Sequence, residues 1–326
     1  MRVLHVVPKN ADGGIPHFVN HQIKSLGMSI DNDNYFFNTR KISLLHPIST
    51  INEILNLRKY ILASGADIIH SHWGSLLGAL VCSIARKKKS VLTLRGSDIN
   101  SSPEDSWFLN LIRNKLSRYA TKRFDVVISV SDQIANEINE LNSQIKVILD
   151  GTPLTIFYPR DRSSARTLLG WEQNRKYVLF YCGNRPIHKN LTLAEQTFSR
   201  LIKTFPNCEL VIINQNFSQE ALSIYMSGSN ALLFTSVAEG SPNIVREAIA
   251  CGCPVVTVPV GDVRKWVEMS DAGGVGGYDA SSLADILRET LTKDVYVNTS
   301  IAQQYSLDNS KNQLLKIYRD LANSKS

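Results

Sequence analysis

The stretch ALLFTSVAEGSPNIVREAIACGCPVVTVPV, residues 231–260, carries the pattern that decides the fold. An apolar run, a Gly-Ser-Pro turn, an amphipathic segment and a second apolar run follow one another, which is the order of a strand, a helix and a parallel strand. Ser241 is a favoured N-cap and Pro242 is favoured at the first helical position, so we expect a helix from there to about Ala250. The stretch therefore predicts one βαβ unit.

The same alternation runs along the whole chain of 326 residues. Further strand-like runs are RVLHVV, ADIIHSH, SVLTLRG, DVVISV and IKVIL in the first half and YVLFYCG, CELVIIN and GGVGGY in the second. Strands that alternate with helical patterns predict mostly parallel sheets, and this length favours two domains. We expect an α/β protein with two doubly wound, Rossmann-like domains, residues 1–160 and 175–305, and an amphipathic helix at 309–324.

Composition and charge narrow the class of protein. The chain is 43% hydrophobic and 20% charged, and its five scattered cysteines outline neither a disulfide framework nor a zinc site. The opening MRVLHVVPKN has the length of a buried strand rather than of a signal peptide, and the uncharged stretch at 68–85 contains too many polar residues to span a bilayer. We therefore expect a cytoplasmic protein without a membrane span.

Residues with distinctive chemistry follow the predicted strands, and open parallel sheets bind ligands beyond the carboxyl ends of their strands. Glu239 follows ALLFTS, and Glu247 lies farther along a helix whose first turn offers unpaired N–H groups to a phosphate. After the strand-like run YVLFYC come Gly183, Arg185 and Lys189, and the two cations suit a diphosphate. After the first strand comes Gly14, which allows the backbone to approach a ligand closely. Two domains with such strand ends predict a ligand-binding cleft.

These motifs resemble those of the retaining glycosyltransferases with the GT-B fold, known as family 4 or group 1. The most specific is the Glu-x7-Glu element, Glu239 to Glu247, which AIACGCPVV follows closely. The others are GG at 13–14, DIIHSHWG at 67–74, RGSDI at 95–99, VSDQIANEI from 130, DGTPLTIFYP from 150 and GNRPIHKN from 183. The resemblance spans nearly the whole chain.

The resemblance implies that the protein transfers a sugar from a nucleotide-diphosphate sugar, with UDP or GDP as the favoured nucleotide, to a hydroxyl of a glycan or lipid-linked acceptor. It implies retention of the anomeric configuration, no metal or other cofactor, and a role in cell-surface polysaccharide or lipopolysaccharide synthesis. Glu247 would bind the ribose, Glu239 the donor sugar and Lys189 a phosphate. The backbone groups implied to hold the sugar and the diphosphate are those of Gly240, Ser241, Pro242, Asn243 and Ile244, with Gly14 approaching from the first domain. The terminal helix would cross back onto the first domain.

Three features depart from the family pattern. The family's phosphate arginine follows the glycine directly, where this chain has Asn184, so Arg185 stands one place late. Arg95 occupies the position of a family histidine; it could pair with a carboxylate on the sugar, or it could be a second diphosphate-binding or structural cation. The segment between CELVIIN and ALLFTS is one βα unit shorter than in many relatives, so the sequence does not identify the nucleobase.

Two other sets of residues have simpler interpretations. His70 and His72 stand at a strand end, where most histidines are hydrogen-bonded structural groups. The run DND at 31–33 has the form of a metal-binding Asp-x-Asp, but we interpret it as part of a solvated turn that precedes a strand.

A predicted helix around residues 107–122 carries part of the basic excess, since residues 84–123 contain ten basic and three acidic side chains. One stripe, at helical spacing, has two apolar residues at one end and three cations along the rest: Trp107, Leu111, Lys115, Arg118 and Lys122. The opposite face, predicted to point to the core, is made of Phe108, Ile112, Leu116 and Tyr119. The stripe suits an anionic membrane surface. The alternative is a solvated basic face with Trp107 packed under a loop.

Two competing functions use the same frame. One is a sugar-nucleotide 2-epimerase of related fold, and the other is a non-catalytic scaffold or nucleic-acid-binding protein that uses the basic patch for phosphates. Because Glu239, Glu247 and Lys189 are all present, we favour the enzyme and expect no nucleic-acid partner.

Overall fold

The computed structural model describes residues 1–9, 13–27, 29–42, 46–96, 98–100, 105–215, 217–293 and 295–324. The described residues form two compact units. The first contains residues 1–100, 105–151 and 307–324, and the second contains residues 152–306. Each unit has one parallel sheet with intervening helices, which confirms the predicted α/β fold.

The first unit contains a six-stranded sheet in the order β2-β1-β3-β4-β5-β6. Its strands are β1 (Arg2–Pro8), β2 (Asp31–Phe37), β3 (Ile68–Ser71), β4 (Lys89–Leu94), β5 (Val126–Ser129) and β6 (Ile145–Val147). Its helices in this part of the chain are α1 (His17–Leu26), α2 (Pro47–Ala63), α3 (Ser75–Ile84), α4 (Trp107–Thr121) and α5 (Asp132–Ile138), with a 3-10 turn at Thr39–Lys41.

The second unit contains a five-stranded sheet in the order β11-β10-β9-β7-β8. Its strands are β7 (Lys176–Tyr181), β8 (Cys208–Ile213), β9 (Ala231–Phe234), β10 (Val255–Thr257) and β11 (Gly273–Val275). Its helices are α6 (Arg162–Leu169), α7 (Leu191–Thr204), α8 (Gln219–Gly228), α9 (Asn243–Ala250), α10 (Val263–Ser270) and α11 (Ala280–Thr292), followed by a 3-10 helix at Thr299–Tyr305. Within the described ranges, no helix has both the length and the hydropathy needed to cross a bilayer.

The interpretation of residues 31–33 as a turn before a strand is wrong. These residues are the first three of β2, which pairs in parallel with β1 so that Arg2 lies opposite Asp31 and Leu4 opposite Asp33. The Arg2 guanidinium lies 3.4 Å from the Asp31 carboxylate and 3.8 Å from that of Asp33. Polar residues are tolerated because β2 is an edge strand, with a hydrogen-bonded neighbour on one side only.

The last helix, α12 (Leu307–Asn323), packs against the first sheet. Its buried residues Leu314 and Tyr318 join Val3 and Ile68 in one apolar cluster. The Tyr318 hydroxyl lies 2.6 Å from Nδ1 of the buried His70. Because the chain enters the second unit after residue 151 and returns at 307, this helix completes the core of the first unit with residues from the far end of the sequence.

Candidate functional site

Two loops of the second unit, after β7 and after β9, lie side by side because their strands are neighbours in the sheet. The Thr235 hydroxyl donates to the backbone carbonyls of Lys189, at 2.8 Å, and Asn190, at 3.0 Å. The Val237 N–H donates to the carbonyl of His188 at 3.0 Å. These bonds fix the basic loop against the acidic one, so their side chains meet in a defined geometry.

Lys189 and Glu239 form an ion pair at the meeting point of the two loops. Lys189 Nζ lies 2.5 Å from Glu239 Oε1, and His188 Nε2 lies 3.6 Å from the same oxygen. Burial alone would raise the pKa of Glu239, but the Lys189 charge and the hydrogen bonds from His188 and Lys189 lower it to about 2. Glu239 is therefore ionised throughout the neutral range.

Arg185 adds a second cation to the basic loop. Its Nη2 lies 3.2 Å from His188 Nδ1. Because a guanidinium can only donate, Nδ1 accepts, and the remaining ring N–H of a neutral His188 faces Glu239. The side chain of Arg185 is exposed, one residue later than the family pattern has it.

The helix after Glu239 begins one residue later than predicted. Pro242 is the N-cap of α9, no side chain caps the helix, and Ser241 is not the N-cap. The Ser241 hydroxyl instead donates to Asp262 Oδ2 at 2.7 Å and accepts from Arg246, which also donates to Asn243 Oδ1. The Ser241 hydroxyl, which the local sequence pattern assigned to a helix N-cap, thus bonds to the side chains of Asp262 and Arg246 instead.

Arg246 and Asp262 were not identified from the sequence. Arg246 is fully buried beneath the first turn of α9, and Asp262 also accepts from Trp266 Nε1 at 2.9 Å. Asp262 follows the end of β10, so the strand-end rule that selected Glu239 would have selected it too. Nothing in the local pattern distinguishes Arg246 from a surface arginine.

A close backbone contact fixes the turn before α9. Gly261 has a φ of +56°, and a Cβ at this position would lie 2.6 Å from the carbonyl oxygen of Gly240. Only glycine fits both constraints. The loop after β10 therefore packs directly against the backbone of the turn from Glu239 to Ser241.

Glu247 lies in the second turn of α9, and only 9% of its surface is exposed. Burial raises the pKa of its carboxyl to about 7, although the Arg246 charge opposes the shift. Burial and the Glu247 charge together raise the pKa of Tyr181, which places this phenol, also missed from the sequence, near the carboxyl. A Cβ on Gly183 would lie 3.4 Å from the Tyr181 hydroxyl, so Gly183 borders the same corner.

The second unit thus brings together most of the predicted site. Its members are Gly183, Arg185, Lys189, Glu239, Gly240, Ser241, Pro242, Asn243, Ile244 and Glu247. The exposed Arg185 and the start of a helix can bind an anion, and Glu247, about 7.5 Å along the axis from Pro242, can accept hydrogen bonds from a polyol. Gly14 lies in the first unit, in an exposed segment after β1.

Arg95 is an internal cation of the first unit, and 3% of its side chain is exposed. Its Nε donates to both carboxylate oxygens of Asp150, at 3.0 and 3.2 Å, and its Nη1 donates to the carbonyl of His72 at 3.1 Å. Its Nη2 reaches Gln22 Oε1 and His72 Nδ1, each at 3.3 Å. These contacts support the structural-cation alternative over pairing with a sugar carboxylate.

The neutral histidines beside Arg95 form a directional chain of hydrogen bonds. Asn32 Oδ1 accepts from His5 Nε2 at 3.1 Å, so the N–H of the neutral His5 ring is on Nε2. His5 Nδ1 must then accept from His72 Nε2, at 2.9 Å. The other nitrogen of His72, Nδ1, in turn accepts from Arg95. Burial lowers the pKa of His5 to about 4 and those of His70 and His72 well below the ordinary value. Ring nitrogens of the three histidines lie within 4.8 Å of one another, but each is already hydrogen-bonded, so they form a structural network rather than a prepared metal site.

Helix α4 differs from its prediction. The residues expected to face the core are largely exposed, with Phe108 at 55%, Ile112 at 38% and Tyr119 at 37%. Trp107, at 76%, is not packed under a loop. Together with Leu109 and Leu111 these residues form the exposed α4 face, whose exposed charged members are Lys115 and the C-cap residue Lys122. Arg118, the third predicted cation, is half-buried and donates to Asn114 Oδ1 at 2.9 Å.

Small residues explain why α4 turns this face outward. Its buried residues are Ser117, Ala120 and Thr121. A Cβ on Gly74 would lie 2.7 Å from Ser117 Oγ, and one on Gly78 would lie 3.2 Å from Ala120 Cβ. Close approach to α3 thus selects the small-residue side of α4, and the apolar side remains in solvent.

Two family models match different parts of the chain. Residues 35–156 match the model described as Glycosyltransferase Family 4, and residues 194–293 match the model described as Glycosyl transferases group 1.

Curated proteins show more distant similarity. The chain is 23% identical over 237 residues to N-acetyl-alpha-D-glucosaminyl L-malate synthase of Bacillus anthracis, and this match covers 64% of the chain and 60% of that protein. It is 25% identical over 216 residues to the putative teichuronic acid biosynthesis glycosyltransferase TuaC of Bacillus subtilis, covering 60% of the chain and 54% of that protein. The chain therefore matches a little over half the length of these relatives.

Solved structures support the fold at low sequence identity. Sucrose-phosphate synthase of Thermosynechococcus elongatus superposes with a TM-score of 0.80 at 17% identity, over 98% of this chain and 99% of that one. The Anabaena protein HepE, in complex with UDP-glucose, superposes with a TM-score of 0.69 at 16% identity, over 98% and 100% of the two chains.

Replacing Arg95 tests its structural role. We expect Arg95→Gln to lower the free energy of unfolding of the first unit by about 3–5 kcal/mol, because it leaves the buried Asp150 carboxylate without its cation. Urea unfolding measures this loss. Arg58→Gln, at an exposed position on α2, is the matched control and should change stability by less than about 0.5 kcal/mol. An Arg95→Gln variant of unchanged stability would contradict the structural assignment.

Proposed function

The chain belongs to the family 4 and group 1 glycosyltransferases of GT-B fold, and on that basis we propose that it is a retaining, nucleotide-sugar-dependent glycosyltransferase. The proposed acceptor is a hydroxyl of a glycan or lipid-linked saccharide in the synthesis of a cell-surface polysaccharide. The observation that carries the proposal is the pairing of Lys189 with Glu239 beside the start of α9, with Glu247 farther along the same helix.

Each part of this arrangement suits one part of a nucleotide sugar. The first turn of α9 and the exposed Arg185 suit the diphosphate, since both present positive charge to an anion. We assign Glu247 to hydrogen bonds from ribose hydroxyls. We assign Glu239, which is ionised and paired with Lys189, to hydrogen bonds from hydroxyls of the donor sugar.

In the proposed reaction the bond between the anomeric carbon and the diphosphate oxygen breaks, and the acceptor oxygen bonds to the same carbon on the same face. The electron pair of the broken bond leaves with the diphosphate, whose charge Lys189 and Arg185 stabilise. The acceptor proton passes to a diphosphate oxygen. We propose that these protein cations supply the positive charge, so that the reaction needs no metal.

The relatives support a sugar-nucleotide donor and a glycan product. HepE was solved with UDP-glucose, which favours UDP over GDP as the donor nucleotide here. TuaC is named for teichuronic acid biosynthesis, which supports a role in polysaccharide synthesis.

We also propose that the exposed α4 face binds an anionic membrane surface where a lipid-linked acceptor resides. Large apolar side chains, with Trp107 the most exposed, occupy the first part of the helix, Lys115 lies in its last half, and Lys122 is its C-cap residue. Arg123, just after the helix, lies over the ring of Tyr119, with its guanidinium carbon 3.7 Å from the ring centroid, so a further cation borders this face. Apolar insertion and basic headgroup contacts are thus available on one surface.

A panel of nucleotide sugars tests the proposed donor site. We expect one member among UDP-, GDP-, ADP- and dTDP-sugars to bind selectively in calorimetry. Glu247→Gln should weaken its binding about 10- to 100-fold, because it removes charge-assisted hydrogen bonds to the ribose. Glu195→Gln, at an exposed position on α7, is the matched control. Failure of every nucleotide sugar to bind would argue against the proposal.

Donor binding should also depend on pH. The Glu247 carboxyl, with a pKa of about 7, is mostly protonated at pH 6 and ionised at pH 8, and ribose hydroxyls donate to the ionised form. We expect the affinity for the intact nucleotide sugar to rise about tenfold from pH 6 to pH 8, with proton release on binding below pH 7. Glu247→Gln should bind weakly at every pH. If that variant kept the pH dependence, the titrating group would lie elsewhere.

Vesicle sedimentation tests the membrane proposal. We expect the protein to bind vesicles containing phosphatidylglycerol more strongly than neutral phosphatidylcholine vesicles. Each of Lys115→Glu and Lys122→Glu should weaken binding at least fivefold, since a lysine near an anionic surface contributes about 1 kcal/mol. Trp107→Ser should weaken it through lost apolar insertion. Lys316→Glu, on the exposed side of α12, makes the same charge change as a control and should have no effect. Equal binding by all variants would contradict the proposal.

A further inference from the structure

The first unit contains a cavity of about 480 Å³ between β2 and α2, which we call the β2–α2 cavity. It opens at the carboxyl end of the edge strand, where Phe36 and Asn38 line it, and Lys9 at the end of β1 also lines it. Its volume is within the range of sites that bind small molecules. The carboxyl edge of a parallel sheet is also where such sites occur.

The cavity carries an excess of positive charge. Lys9, Lys41 and Lys59 line it, and Glu53 is its acidic side chain. Glu53 lies 3.4 Å from Lys41 Nζ, which balances one lysine. Across the ranges that the structure describes, Lys9 and Lys59 have no carboxylate within ion-pair distance. Two ammonium groups therefore remain available to an anion.

The buried carboxylate of Glu53 keeps the cavity in shape. Its Oε1 accepts from the backbone N–H of Asn38 at 2.9 Å and from the Tyr35 hydroxyl at 3.3 Å. These bonds join α2 to the end of β2, so this wall of the cavity is formed by contacts within the protein and needs no ligand. Glu53 is thus a structural member of the cavity rather than a competitor for the free lysines.

Aromatic and amide groups complete the lining. The rings of Tyr35 and Tyr60 lie 5.1 Å apart at an angle of 53°, and the Tyr60 hydroxyl donates to Asp33 at 2.8 Å, which fixes that ring. The side chain of Asn56 is exposed at the rim. Aromatic faces suit the apolar face of a sugar ring, and amides suit its hydroxyls.

We propose that the β2–α2 cavity binds an anionic sugar unit, bearing a carboxylate or a phosphate, of the acceptor glycan; the assignment to an acceptor rests on the proposed glycosyltransferase function. Lys9 and Lys59 bind the anionic group, and the tyrosines contact the ring. The site would select glycans that carry a negative charge near the growing end.

Calorimetry with defined saccharides tests this proposal on the full chain. The probes are trigalacturonate, glucose 6-phosphate, neutral maltotriose and inorganic phosphate. We expect one or both anionic saccharides to bind at least tenfold more tightly than maltotriose and inorganic phosphate. Tighter binding of trigalacturonate would indicate that the site recognises a carboxylate, and tighter binding of glucose 6-phosphate that it recognises a phosphate. The double variant Lys9→Gln, Lys59→Gln should lose at least tenfold in affinity for it. Lys24→Gln, Lys316→Gln, two exposed lysines elsewhere in the first unit, is the matched control and should bind like the wild type.

The outcomes separate this inference from the proposed function. Binding of nucleotide sugars without binding of either anionic saccharide would overturn the cavity's role and leave the glycosyltransferase proposal standing. Binding of inorganic phosphate as tightly as the saccharides would also overturn it, since only an anion would then be recognised. Saccharide binding that depends on Lys9 and Lys59, in a protein that binds no nucleotide sugar, would support the cavity as a saccharide site and count against the transferase. The double variant should keep wild-type affinity for the nucleotide sugar.

Discussion

The ion pair between Lys189 and Glu239 is the interaction on which the geometry of the candidate site depends. It forms because β7 and β9 are neighbours in a parallel sheet, so two loops distant in sequence meet at one edge. The ammonium group offsets the cost of burying the carboxylate and keeps it ionised, as its pKa of about 2 indicates. In the proposed function, this acid binds a hydroxyl of the donor sugar and this cation binds a phosphate.

The two glutamates of the Glu-x7-Glu element have opposite electrostatic environments. Glu239 has a cation in contact, whereas Glu247 has a pKa near neutrality because burial outweighs the Arg246 charge. Glu239 is therefore ionised at neutral pH, whereas the Glu247 carboxyl is about half protonated there. This difference depends on tertiary contacts, which the spacing of the two residues does not encode.

Much of the fold could be predicted from the sequence, because buried parallel strands are short apolar runs that a local window detects. The start of β2 was predicted too late, because polar residues such as Asp31 and Asp33 are tolerated in an edge strand but have the pattern of a turn. The orientation of α4 was wrong because its packing depends on Gly74 and Gly78 of a different helix. Arg95 could not be assigned from sequence, since its partner Asp150 lies 55 positions away. Among the site residues, strand ends located Glu239 and Lys189, but the Ser241 hydroxyl has tertiary partners that no local rule anticipates.

The return of α12 to the first sheet has a consequence for how the protein folds during synthesis. The strands that contain Val3 and Ile68 are translated early, yet Leu314 and Tyr318, which cover them, are translated only after the whole second unit. At ordinary translation rates of about 5–20 residues per second, the second unit alone, residues 152–306, takes roughly 10–30 seconds. During that time one face of the first sheet is without its helix and His70 is without its tyrosine, so an exposed apolar surface must avoid aggregation until the last helix is made.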